Sequence, residues 1–342
     1  MNKNNQVTII TDVRFDAIHI CNQSLIDCLR QSGVETNVIS LNNKLFRNSV
    51  LNFILEIFNT FKIIFMVNRN DLVLFTDPLL FNLLASTLIS NKCYTIFYHY
   101  EKDPFYYKLI PFISYKTILD KLDGIICISK FTQSQLKSLG VSSQHKVIYY
   151  GIDHKLFKPT PSPRYVYDYI LSVGSEEPRK NMKTILRSFQ ILKKDFPNLK
   201  LLKIGYVSPE NRKRTIYYVN KYHLSESVIF LDYLDGNELP NIYSRAKLLL
   251  FPSLLEGFGL PIIEAMACGC PVVTSNRNPM KEIVGEVQTV INPLKPREIA
   301  RLCQKILLNT KYRSQLTKKG LQRAKLFNWD KTAKEIYRFI SQ

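Results

Sequence analysis

Short apolar runs recur along this chain, separated by longer stretches with a helical repeat, and that alternation constrains the fold more than any other feature. In the first half the candidate strands are Val7–Ile10, Thr36–Ser40, Asp71–Thr76, Tyr94–Tyr98, Gly124–Ile128 and Lys146–Tyr150. A second series follows at Tyr169–Val173, Leu199–Ile204, Val228–Leu231, Leu248–Phe251, Pro271–Thr274 and Val287–Ile291. Repeated strand–helix units build parallel sheets. Between the two series lies Lys158-Pro-Thr-Pro-Ser-Pro163, a proline-rich stretch suited to a linker. With 342 residues there is chain enough for two domains. The expectation is an α/β protein of two doubly wound Rossmann-like domains facing across a cleft, with ligands beyond the carboxyl ends of the strands.

The chemistry concentrates between Ser253 and Thr274. Gly257 and Gly259 allow close backbone approach to a ligand. Pro261 suits a first helical turn, where its missing N–H would have had no partner. The N–H groups near Phe258, Gly259 and Leu260 then face outward from a positive helix end, which suits a phosphate. Glu256 precedes this helix and Glu264 lies about one turn into it. One carboxylate can hold sugar hydroxyls while the other holds a ribose. Upstream, the strand ending at Gly174 leads into Ser175-Glu-Glu-Pro-Arg179-Lys180-Asn181. There a planar guanidinium fork and a compact ammonium stand side by side, a pair able to clamp a diphosphate.

The spacing Glu256 to Glu264, with Gly-Phe-Gly-Leu-Pro, Glu-Ala-Met-Ala and Gly-Cys-Pro-Val-Val around it, resembles the E-x7-E signature of the retaining group-4 glycosyltransferases. The resemblance implies the two-domain GT-B architecture, with an acceptor-side domain at 1–157, a nucleotide-sugar domain at 158–326 and a terminal helix at 327–342 crossing back to the first domain. It implies donor contacts from Arg179, Lys180, Gly257, Phe258, Gly259, Leu260 and Glu264, with Glu264 on the ribose hydroxyls. Backbone near Leu231-Asp232-Tyr233 would border the base. Glu256 and His99 would orient the reacting sugar. The implied reaction is retaining transfer of a hexose from a UDP-, GDP- or ADP-sugar to a hydroxyl of a glycan or lipid-linked acceptor, with no divalent metal and no other cofactor. Two departures stand out. Ser175 occupies the position where relatives carry arginine, so that role passes to Arg179. The segment Asp12–His19 lacks the glycines relatives carry after the first strand. Both departures leave room for an inactive nucleotide-sugar-binding regulatory protein of the same fold. A nucleotide-sugar epimerase would share the architecture but not the group-4 segments.

Charge and cysteine usage narrow the setting. The formal net charge is +19, and residues 1–150 hold 15 Lys+Arg against 11 Asp+Glu, so only +4 lies there. The basic excess sits in the half with the phosphate-like motif, which favours anionic ligands and leaves an anionic membrane surface open as a partner. Nucleic acid is not indicated, since no recognition motif is present. Seven scattered cysteines without a C-x-x-C pair point to a reducing interior. No apolar signal region precedes Val7. A cytoplasmic protein is expected, with a peripheral place on the cytoplasmic membrane face left open. Residues 50–67 read as a helix with one polar strip, Asn52, Glu56, Asn59 and Thr60. Glu56 and Lys62 argue against a membrane span. The helix is either buried beside a sheet or rests in a membrane interface, where Lys44, Arg47 and Phe105–Lys108 would assist.

Overall fold

The computed structural model describes residues 6–12, 17–41, 49–76, 83–98, 115–160, 167–231, 234 and 237–342. Each of the twelve apolar runs overlaps a strand. The chain divides into two compact units, one of Met1–Gly151 with Asn328–Gln342, the other of Ile152–Phe327.

The first unit contains β1 (Val7–Asp12), β2 (Thr36–Leu41), β3 (Leu72–Phe75), β4 (Cys93–Phe97), β5 (Gly124–Cys127) and β6 (His145–Val147). They form one parallel sheet in the order β2-β1-β3-β4-β5-β6. Val7 lies opposite Thr36 on one side and Leu72 on the other. Ile10, Ile39, Val73, Phe75, Phe97 and Ile125 are buried in its core. The terminal helix Trp329–Ile340 is part of this unit. Its start is capped by Asn328, whose side chain accepts from Lys331 N. It buries Trp329, Ala333, Ile336 and Ile340 at helical spacing. Phe339 meets Tyr94 edge-on at 6.0 Å, and Thr332 Oγ1 donates to Tyr149 O at 2.7 Å.

The second unit contains β7 (Tyr169–Val173), β8 (Lys200–Ile204), β9 (Val228–Leu231), β10 (Leu249–Phe251), β11 (Val272–Ser275) and β12 (Thr289–Ile291). Its parallel sheet runs β12-β11-β10-β7-β8-β9. Counted from its own first strand this is the doubly wound order 3-2-1-4-5-6, read from the other edge. The order reverses between β7 and β10, where Leu171 lies opposite Leu249. Ligands of such sheets bind at that reversal, beyond the carboxyl ends. Helices Met182–Leu192 and Pro296–Leu308 cover the sheet with Ile185, Leu186, Phe189, Ile299, Cys303 and Ile306.

Several boundaries differ from the sequence expectation. The first division falls at 151/152 rather than 157/158, and the second at 327/328. Phe157 packs 6.4 Å from the Tyr243 ring, and Thr160 N donates to Ser244 Oγ, so Lys158–Thr160 runs along the second unit. β6 ends at Val147, because Tyr150 turns inward: its hydroxyl donates to Tyr98 Oη at 2.7 Å and its ring lies 5.1 Å from Trp329. His19, expected in a loop, lies in the helix Ala17–Gln31, while residues 13–16 fall outside the described residues. The helix expected at 50–67 spans Ser49–Met66, and Asn59 of its polar strip does not face out. Asn59 is buried beside Ile63, while Phe58, Phe61 and Phe65 are 67%, 55% and 83% exposed.

Candidate functional site

The site is built by the loops that leave β7 and β10, the two strands flanking the reversal. β7 ends at Gly174, which has φ of 125°. Lys203, buried on β8, donates to Gly174 O and to Ile204 O, fixing where this loop starts. After Ser175, Glu176 and Glu177 comes a single 3₁₀ turn, Pro178–Lys180. Asn181 follows with φ of 62° and starts the helix Met182–Leu192. Asparagine tolerates this left-handed conformation better than most residues. Its Nδ2 donates to Pro252 O at 3.0 Å and Pro293 O at 2.7 Å. Leu254 N donates to Arg179 O at 2.7 Å. The loop after β7 is therefore tied to the loops after β10 and β12.

These ties bring Arg179 and Lys180 onto one carboxylate. Lys180 Nζ lies 2.7 Å from Glu256 Oε1, and Arg179 Nη1 lies 3.1 Å from Glu256 Oε2. Arg179 Nη2 also reaches Glu177 Oε2 at 2.7 Å. Lys180 Nζ stands 5.2 Å from the Phe251 ring centre, and its terminal atoms pass within 3.4 Å of where a Cβ at Gly174 would sit, an ordinary contact. Glycine at 174 thus serves the backbone angle. Burial pulls the Lys180 ammonium below its usual range; Glu256 opposes this, and Arg179 adds to it. Two cations face Glu177 and Glu256, so the cluster is balanced before any ligand arrives. An entering diphosphate must draw Arg179 and Lys180 away from carboxylates, which makes Glu256 a competitor as well as a neighbour.

The second part of the site is the start of the helix Leu260–Ala267. Gly259 precedes it with φ of 103°, and no side chain caps it. Pro261 has no N–H and Ile262 N donates to Gly259 O at 3.0 Å, which leaves the N–H of Leu260 to a ligand or solvent. Phe258 is buried and meets Phe327 edge-on at 6.0 Å, so only its backbone is available to a donor. Glu264, on this helix, accepts from Tyr243 Oη at 2.7 Å through Oε2. Burial pushes its carboxyl up to about 7, and the tyrosine hydrogen bond works against that rise.

Sequence reasoning grouped Arg179, Lys180, Gly257, Gly259, Leu260, Glu256 and Glu264, and all belong to the loops and helix start just described. His99, Asp232 and Tyr233 lie outside the described residues. Three participants were missed. Asn181 carried a readable signal, being a residue type suited to a left-handed helix start. Tyr243 carried none, since its contact crosses from one helix to another. Glu176 was given no role, yet it is buried and held by Arg212 at 3.0 Å, with that guanidinium 4.2 Å from the Phe230 ring centre.

Residues 163–323 match the family described as Glycosyl transferases group 1. This segment belongs to the group 1 glycosyl transferases. The matched segment contains Arg179, Lys180, Tyr243, Glu256 and Glu264. Among curated relatives, serotype-specific mannosyltransferase WbdA from Escherichia coli is 33% identical over 168 residues. That alignment covers 48% of this chain and 21% of the relative, so the chain spans about a fifth of that relative's length. Sucrose-phosphate synthase from Thermosynechococcus elongatus superposes with a TM-score of 0.81 at 20% identity, covering 98% of each chain. Anabaena HepE, solved in complex with UDP and glucose, gives a TM-score of 0.78 at 17% identity, covering 99% of this chain and 100% of that one. These likenesses show a shared fold, the GT-B architecture of two Rossmann-like units.

Proposed function

We propose that this protein is a retaining glycosyltransferase that moves a hexose from a nucleoside-diphosphate sugar to a hydroxyl of a glycan or lipid-linked acceptor. The observation that carries this reading is the meeting of Arg179 and Lys180 with Glu256 at the strand-order reversal of the second unit. The mannosyltransferase relative favours mannose as the sugar. HepE with its UDP supports a nucleotide as the carrier.

In the proposed reaction the diphosphate leaves the anomeric carbon while the acceptor hydroxyl attacks from the same face. Arg179, Lys180 and the N–H groups at Gly259 and Leu260 stabilise the charge that grows on the leaving phosphate. Fixed cations in this position support transfer without a divalent ion. The leaving phosphate takes the acceptor proton. Glu264 binds the ribose diol. Glu256, with both oxygens turned to cations, orients donor hydroxyls and releases the cations as the diphosphate enters. His99 is proposed to contact the donor sugar. A peripheral place at the cytoplasmic membrane face is part of the same proposal, supported by the exposed phenylalanines of Ser49–Met66.

Titration of UDP, GDP and ADP by calorimetry tests the site. Lys180→Ala and Glu264→Ala are each expected to weaken the preferred nucleotide by roughly tenfold or more. Unchanged affinity in both variants would remove the site assignment. Transfer from the matching nucleotide sugar is expected to persist in excess chelator, and its loss would defeat the metal-free mechanism. Tight nucleotide binding without turnover on any sugar would leave a binding protein instead.

A further inference from the structure

The two glutamates of the site have different surroundings. Glu256 has both oxygens engaged by cations. Glu264 has only Oε2 engaged, by the Tyr243 hydroxyl, and among the described residues no side chain or backbone group partners Oε1. Glu264 is half-buried rather than fully enclosed. Tyr243 is completely buried on the helix Leu239–Arg245, with Phe157 packed against its ring. Burial holds its phenol far above the usual range, so at neutral pH the hydroxyl is a donor. A carboxylate tied at one oxygen by a fixed neutral donor, with the other oxygen open, is set to accept from a pair of neighbouring hydroxyls.

We propose that Tyr243 is a positioning residue for ribose recognition, holding Glu264 through Oε2 so that Oε1 meets the ribose diol of the donor nucleotide. The inference rests on the reading of Glu264 as the ribose ligand. It assigns the orientation of that carboxylate to a side chain from a different helix. The other titratable groups facing this pair are Cys268 and Cys270, both pushed up by burial and so neutral thiols near pH 7. Among these groups only Glu264 titrates near neutrality, with its carboxyl at about 7. Tyr243 favours the ionised form, so its removal moves the titration upward.

The test compares GDP and UDP with their 2′,3′-dideoxy forms by calorimetry, on both sides of about pH 7. The dideoxy forms keep the same diphosphate, so the ratio of affinities isolates the diol. In the unmodified protein the ratio should rise with pH. Tyr243→Phe keeps the ring packing and should lower the ratio roughly tenfold at neutral pH, with the rise moved to higher pH. Dideoxy affinity should be unchanged. Glu264→Gln, which leaves Tyr243 in place, should give a ratio without pH dependence. Equal weakening of both nucleotide forms by Tyr243→Phe would mean a structural role only and overturn the proposal, as would a pH-dependent ratio in Glu264→Gln. A ratio that Glu264→Gln leaves unaltered at every pH would instead remove Glu264 from the ribose, which defeats the underlying reading.

Discussion

At the scale of single residues, two glutamates eight positions apart do different work because different neighbours reach them. Glu256→Gln removes the charge that holds Arg179 and Lys180 without removing the cations themselves. If Glu256 orients the donor sugar, kcat falls by roughly a hundredfold or more while nucleotide affinity holds or rises, since a competitor for the two cations is gone. Steady-state kinetics beside calorimetry reads both quantities, and an equal loss in each would reassign Glu256 to donor binding. Glu264 carries a prediction about stability. Its carboxyl is raised from 4.5 to about 7, so the folded protein keeps a proton that the unfolded chain gives up between those values. The stability it contributes is complete below 4.5 and is lost as pH climbs to about 7. Relative to Glu264→Gln, the protein without ligand should therefore lose stability across that window, measured as urea midpoints in a pH series. A constant difference would contradict the buried environment. The positions of both glutamates were legible from spacing. Their partners were not, since Tyr243 and Lys180 arrive from separate elements and leave no local mark.

The loop between β7 and the helix Met182–Leu192 shows why an element can be readable while its attachment is not. Its charges stood out in the sequence, and so did the apolar run before it. What holds Arg179 and Lys180 in place is Asn181, through two carbonyls more than seventy residues away. Asn181→Ala loses both hydrogen bonds and forces alanine into φ of 62°. A loss of about 2–3 kcal/mol in unfolding free energy is expected. Asn181→Gly removes the same bonds and relieves the backbone angle, so it should lose less stability while weakening nucleotide binding comparably. Equal nucleotide affinity in Asn181→Gly and the unmodified protein would show that the loop needs no such anchor. The strands were legible for a simple reason: short apolar runs between helical stretches have few other uses in a chain of this type. Their ends were less so. β6 stops at Val147 because Tyr150 is claimed by Tyr98 and Trp329, contacts that only the folded chain brings together.

At the scale of the whole molecule, the last helix joins the first unit through Trp329, Ala333 and Ile336 at helical spacing, while the division into two units falls at 151/152, ahead of the prolines. The helix Ser49–Met66 is where pattern alone failed, because an apolar helix with one polar strip reads the same whichever face turns inward. Here Asn59 and Ile63 turn inward and Phe58, Phe61 and Phe65 turn outward. Each such side chain gains about 1.5–3 kcal/mol when removed from water. No helix among the described residues is long and apolar enough to cross a membrane. A helix lying in the interface satisfies both facts, and a chain of net charge +19 would be drawn to anionic headgroups as well. Co-sedimentation with phosphatidylglycerol vesicles at low salt should recover the protein, and rising salt should weaken but not abolish binding. Replacing Phe58, Phe61 and Phe65 together by serine should lower the partition coefficient roughly tenfold or more. Nucleotide affinity should stay unchanged, since the donor site belongs to the other unit. Vesicle binding that survives the triple substitution but disappears with salt would assign the contact to basic side chains alone, and the phenylalanine face would then be a surface for something other than lipid.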